Sequence, residues 1–125
     1  MNIIDLNNRT AIVTGGAQGF GLAMTKRFLD SGANVIIWDV DKTTAEMTVK
    51  KLNNPNLSLT IIDVTDFDQV MTEVEKVTKN IKIDIFINNA GLAGKNTTVW
   101  DYPVDEWKRV LELNLNAVFY CLKAI

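Results

Sequence analysis

Between two apolar runs the sequence reads Thr14-Gly15-Gly16-Ala17-Gln18-Gly19-Phe20-Gly21. Glycines there let the chain turn sharply and remove the Cβ atoms that would hold a bulky anion away from the backbone. A helix beginning inside such a segment offers unpaired N–H groups and a partial positive charge, so the chemistry available is the cradling of phosphate. An acid follows at Asp39, closing Asn34-Val-Ile-Ile-Trp-Asp39. A carboxylate can accept hydrogen bonds from both hydroxyls of a ribose and would repel a phosphate placed on one of them. Val40 and Asp41 come next and Gln18 is uncharged, so no basic side chain stands ready for that extra phosphate. A tight strand-to-helix turn, and an Asp39 that caps the next helix or faces solvent, are the bland alternatives.

The elements around these residues favour the phosphate reading. Short β-branched runs alternate with helical spacings: strands at 9–14, 34–39, 57–63 and 83–88, the last reading Ile83-Asp-Ile-Phe-Ile-Asn88. Phe20, Met24 and Phe28 recur at helical spacing until Ser31-Gly32, and Lys42 to Leu52 forms a second helix broken by Asn53-Asn54-Pro55. Asp66 is placed to cap a third, with Phe67, Val70, Met71, Val74 and Val77 on one face. Pro103 fits the first position of a last helix, whose stripe is Val104, Trp107, Leu111, Leu115, Val118 and Leu122 and which runs to Ile125. Strands separated by helices, without hairpin turns, predict parallel βαβ units in a doubly wound Rossmann α/β sheet of order 3-2-1-4. The glycine turn then joins the first strand to the first helix, with an acid at the end of the second strand, which is the context of a dinucleotide site. Asp39 favours NAD over NADP.

Composition narrows the chemistry. The chain has 125 residues, 47% hydrophobic and 22% charged, enough for the core of one domain and too short for two. It has 13 Lys plus Arg against 15 Asp plus Glu and no basic stripe, which argues against nucleic acid or an anionic membrane surface as partner. With 0 His and one cysteine, Cys121, it offers no His-based triad, no disulfide within the chain and no metal site; the Asp39 and Asp41 pair lacks a third ligand nearby. Cys121 reads as a small core residue. No apolar run has the length of a membrane span and the N-terminus lacks a signal-peptide pattern, so a cytoplasmic location is expected.

The remaining polar residues carry less on their own. Asp63-Val64 ends the third strand, and a carboxylate there can form a turn or accept from an adenine amino group. Asn88-Asn89-Ala90-Gly91 ends the fourth; Asn side chains there can simply serve the turn. Asn114 falls at helical spacing with Trp107, Leu111 and Val118, so a buried amide is expected that needs partners, either structural or functional. Asn116, on another face, should meet solvent.

These residues resemble the classical short-chain dehydrogenase/reductase family over almost the whole chain. Its Thr-Gly-x-x-x-Gly-x-Gly motif is present as Thr14, Gly15, Gly19 and Gly21, and its Asn-Asn-Ala-Gly motif as residues 88–91. Asp63-Val64 matches the family's adenine-contacting pair, and Trp107 through Asn114-Leu115 its fourth-helix signature. The sequence looks most like the 3-oxoacyl-carrier-protein-reductase-like branch. The resemblance implies an NAD-dependent oxidoreductase moving hydride between nicotinamide and a small-molecule carbonyl or alcohol substrate. It assigns Thr14, Gly15, Gln18, Gly19, Phe20, Gly21, Asp39, Asp63, Val64, Asn89, Ala90 and Gly91 to the cofactor and Asn114 to catalysis. In the family that Asn kinks its helix and holds a water in a proton relay.

The same resemblance leaves something out. The family's acid/base is the Tyr of a Tyr-x-x-x-Lys motif, with a Ser that holds the substrate oxygen. Here Tyr102 is followed four residues later by Glu106 and Tyr120 by Ala124. The expectation is a single, incomplete domain over 1–125: the N-terminal part of such an enzyme, inactive alone and truncated relative to the family. A non-catalytic dinucleotide-binding or interaction module is the alternative, as is one half of a split enzyme completed by another chain. The complete protein would be a homo-oligomer, and the last helix would lack the surface its stripe normally meets.

Overall fold

The computed structural model describes residues 2–125. Strand β1 (Thr10–Thr14) leads into helix α1 (Gly19–Asp30), then β2 (Asn34–Asp39), α2 (Lys42–Leu52), β3 (Leu57–Ile61), α3 (Phe67–Thr78) and β4 (Ile85–Ile87). A short 3-10 turn, Val99–Asp101, precedes α4 (Val104–Leu111), a widened π turn (Glu112–Asn116) and α5 (Ala117–Ala124). The strands are parallel in the order β3-β2-β1-β4, as expected.

Every residue of β1 is buried, because β1 has a strand on each side and helices on both faces. Alternation then divides the core. Ile12, Ile36 and Trp38 join Ile62, Val64, Val70, Val74, Ala117 and Cys121 on the α3 and α5 side. Val13, Val35 and Ile37 join Ala17, Ala33, Ala45 and Leu57 on the other. The Trp38 ring meets Phe86 edge-on, with centroids 5.5 Å apart. Cys121 is a core residue, and burial pushes its thiol pKa up to about 11.

Helix ends follow local chemistry. The Asp41 carboxylate accepts from Thr44 N–H and that of Asp66 from Gln69 N–H, each compensating a first-turn donor. Asp41 is therefore the cap of α2, a role that Asp39 does not take. Asn53 ends α2 at φ 42, in the left-handed region that Asn tolerates. Pro103 stands just before α4, with extended ψ, rather than as its first helical residue.

Three strands are shorter than their apolar runs. β1 starts at Thr10 rather than Arg9, and β3 ends at Ile61 because the Asp63 carboxylate folds back onto Thr65 N–H and Oγ1, at 2.9 and 2.7 Å. β4 keeps only Ile85–Ile87 of 83–88. Among the described residues it pairs with β1 alone, and side chains take over at both ends: Asp84 Oδ2 accepts Thr10 N–H at 3.0 Å, while Asn89 N–H donates to Thr14 Oγ1 at 2.9 Å.

The last helix also differs from its expected regularity. Its sheet side is Leu113, Ala117, Cys121 and Ala124. Trp107, Leu111 and Leu115 are 56%, 38% and 62% exposed, and Asn114 is exposed beside them rather than buried. Trp107 and Leu111 precede the π turn and are already exposed, so it is the stripe as a whole, and Asn114 with it, that faces away from the sheet. No helix among the described residues is long and apolar enough to cross a membrane.

Asp84 joins the start of β1 to the start of β4. Its pKa is lowered to about 2, first by the Thr10 N–H and then by the ammonium of Lys82 and the guanidinium of Arg9, each 3.1 Å from Oδ1. A carboxylate whose folded pKa is depressed adds stability above its unfolded value and loses it as pH falls through the folded one. We expect urea stability to decline between about pH 4 and pH 2. Asp84→Asn should be less stable at neutral pH and show a shallower decline.

Candidate cofactor site

The site grows out of the end of β1. Thr14, 2% exposed, donates its hydroxyl to Ile87 O at 3.2 Å and accepts from Asn89 N–H at 2.9 Å and Ala90 N–H at 3.0 Å. The Asn89 amide donates to Thr14 O at 3.0 Å and Gly15 O at 3.2 Å. One hydroxyl and one amide thus sew the glycine turn to the loop after β4. Three glycines are required by geometry, Gly15 and Gly19 by a left-handed backbone and Gly21 by close packing. Gly15 has φ +62, and a Cβ on Gly21 would collide with the Gly15 carbonyl and the Asn89 amide. Gly19 has φ +56 and open space where its Cβ would stand.

Beside this seam lies a cavity of about 540 Å³. It brings together Gly15, Gln18, Asp39, Asp63, Val64, Asn89, Ala90 and Gly91 from four separate loops. Such a crevice is expected where the strand order reverses, here between β1 and β4. Asp39, 8% exposed, has Oδ2 facing Ala17 N–H at 3.4 Å and Oδ1 facing Asp41 N–H at 3.0 Å. Both N–H groups orient the carboxylate at the cavity's edge.

Other expected residues take different places. Thr14 lies beneath the turn and braces it without lining the cavity. Gly19 and Phe20 are exposed at the start of α1, and Gly21 is a packing residue. Asn114 is outside the cavity as well. Its Nδ2 donates to Leu92 O at 2.8 Å and its Oδ1 accepts Leu92 N–H at 2.9 Å, so a helix-to-backbone bond satisfies the amide. Exposed Asn116 donates to the Glu112 carboxylate.

The cavity also includes residues that the motifs did not mark: Val40, Ile62, Thr65, Leu92, Arg109, Glu112 and Leu113. Val40, Ile62, Thr65, Leu92 and Leu113 adjoin marked residues, which was the only available signal. Arg109 is brought in by α4 and Glu112 by the start of the π turn. Arg109 is held by Glu106 through two bonds of 3.0 Å, which raise its pKa and lower that of Glu106. Tyr120 donates to Glu112 Oε1 at 2.8 Å, and this bond to a carboxylate raises the phenol's pKa. A general acid/base near neutrality needs the opposite shift.

Comparison with known proteins agrees with this geometry. The family model for short chain dehydrogenase matches residues 9–125, and the chain belongs to that family of oxidoreductases. A short chain dehydrogenase/reductase, dpchG, of Colletotrichum higginsianum is 38% identical over 93% of this chain and 44% of its own length. The NAD(+)-dependent 2-dehydro-3-deoxy-L-rhamnonate dehydrogenase of Sphingomonas sp. is 34% identical over 94% of this chain and 47% of its own. Among solved structures, a 3-ketoacyl-(acyl-carrier-protein) reductase from Brucella melitensis complexed with NADH superimposes with TM-score 0.88. It is 31% identical, over 95% of this chain and 49% of that one. The chain spans about half the length of the curated relatives it matches.

The seam can be tested without any ligand. Thr14→Val keeps the shape and removes the hydroxyl, leaving Ala90 N–H unpaired and Asn89 N–H and Ile87 O with only their mutual 3.1 Å bond. We expect a loss of about 2–3 kcal/mol in urea unfolding, with Thr14→Ser within about 1 kcal/mol of the parent.

Proposed function

We propose that this chain is the dinucleotide-binding portion of an NAD-dependent oxidoreductase, acting in hydride transfer between nicotinamide and a small carbonyl or alcohol. The observation that carries the cofactor choice is the Asp39 carboxylate, oriented by two backbone N–H groups at the edge of a cavity that the glycine turn closes. In this reading Asp39 accepts the two ribose hydroxyls, and its charge disfavours a 2′-phosphate. The N–H groups at the start of α1 face the pyrophosphate, and the open space over Gly19 is the room it needs. At the far end Asp63 supplies an acceptor, and the Val64 N–H, without a partner among the described residues, supplies a donor. That pairing suits the amino group and ring nitrogen of adenine. Val40 and Leu113 provide apolar surface for the base.

NAD, when bound, supplies the hydride-accepting ring; the protein's part here is to hold its adenosine diphosphate half. Asn89, Ala90 and Gly91 contribute mainly by fixing the wall that faces the turn. Asn114 is assigned a positioning role at the catalytic end. Its clasp on Leu92 and its place within the π turn support this, because such widened turns free backbone groups for other partners. The exposed stripe along α4 and α5 supports a further protein surface there, from a second copy or a complementing chain. The Tyr, Lys and Ser that complete the family's chemistry are assigned to chain beyond these residues or to that partner.

Calorimetric titration of two variants tests the assignment. Asp39→Ala should weaken NAD binding about tenfold while leaving NADP less affected; an unchanged preference would remove the ribose role. Gly19→Val should abolish binding of both dinucleotides in a folded protein, and retained affinity would remove the phosphate role.

A further inference from the structure

Resting on Asp39 as the ribose acceptor, we infer that Thr48 and Thr25 are positioning residues that set the site's preference between a free and a phosphorylated ribose. A carboxylate discriminates only as well as it is held. Asp39 Oδ1 takes a local N–H, that of Asp41, two residues away. Its Oδ2 depends instead on the Ala17 N–H, 22 residues earlier in the chain. The peptide carrying that N–H has Gly16 O as its carbonyl, and the fully buried Thr25 of α1 donates to this oxygen at 3.2 Å. The next peptide has Ala17 O as its carbonyl, and Thr48 of α2 donates to it at 2.9 Å.

Two helices therefore clamp the two peptide planes that flank Ala17. The segment has little slack: a Cβ on Gly16 would lie 3.0 Å from Val13 O and 3.1 Å from both Ile37 Cγ1 and Thr25 Oγ1. Neither threonine lines the cavity, so both act through Ala17. Releasing the clamp lets Ala17 turn its N–H from Asp39 toward the cavity, where it becomes a donor for a phosphate. The same release frees the carboxylate to swing from the ribose. Both changes favour NADP at the expense of NAD.

Thr48, half-buried, gives the cleaner test. Thr48→Val removes the hydroxyl at constant shape, Thr48→Ser restores it, and Thr25→Val breaks the other half of the clamp. Dissociation constants for NAD and NADP, with amide hydrogen exchange at Ala17 and Gln18 in the free chain, are the readouts. We expect Thr48→Val to weaken NAD about fivefold, to narrow the NAD-to-NADP ratio by a similar factor and to speed exchange at both amides. Thr48→Ser should return all three toward the parent, and Thr25→Val should narrow the ratio in the same direction. A purely structural threonine would weaken both dinucleotides equally. An unchanged ratio with unchanged exchange, or a Thr48→Ser as impaired as Thr48→Val, would overturn the clamp. Should the parent chain bind neither dinucleotide while exchange still responds with Ser rescue, the clamp stands and the cofactor assignment falls.

Discussion

The Thr14 hydroxyl sits where β1 ends, β4 ends and the glycine turn begins, and it makes three hydrogen bonds there. The strands at this point diverge to open the crevice, so no ladder bond can join them further. The hydroxyl takes the last carbonyl of β4 and the N–H groups of Asn89 and Ala90, and without it the Ala90 N–H would be left unpaired. Asn89 completes the arrangement from the other side by donating to Thr14 O and Gly15 O. The position of the glycine turn relative to the Ala90-Gly91 wall therefore depends on the polar side chains of Thr14 and Asn89.

Around that seam the fold supplies each remaining part from a different element. β2 carries Asp39 to the cavity's edge, the loop after β3 brings Asp63 and Val64, and α4 and the π turn add Arg109 and Leu113. The π turn is the least regular piece and the one that places Asn114 against Leu92. In the function proposed above, the result is a site for the adenosine and diphosphate portions of a dinucleotide. The acid/base function has no counterpart in Tyr120, whose phenol donates to a carboxylate.

Much of this was legible in the residues, for definite physical reasons. β2 and α2 fall where expected because Asp39 and Asn53 are strong terminators and the intervening apolar spacing is clean. Strand order followed from parallel crossovers, and the glycine turn from its position between strand and helix. β4 was overdrawn because apolar alternation cannot reveal that Asp84 and Asn89 will intercept the ladder. Asn114 was expected to be buried because it shares its spacing with apolar Trp107 and Leu111, which are themselves exposed. The roles of Thr14 and Asn89 as braces, and of Thr25 and Thr48 as anchors, depend on contacts between residues far apart in the chain, which spacing alone does not disclose.

The most direct test of the account is calorimetric titration of the purified 125-residue chain with NAD, with its oligomeric state read from light scattering on the same sample. The account predicts saturable binding at one site per chain by a folded species of defined size. AMP should compete for that site and NADP should bind more weakly. A folded chain that shows no heat with NAD, or that prefers NADP, would contradict it.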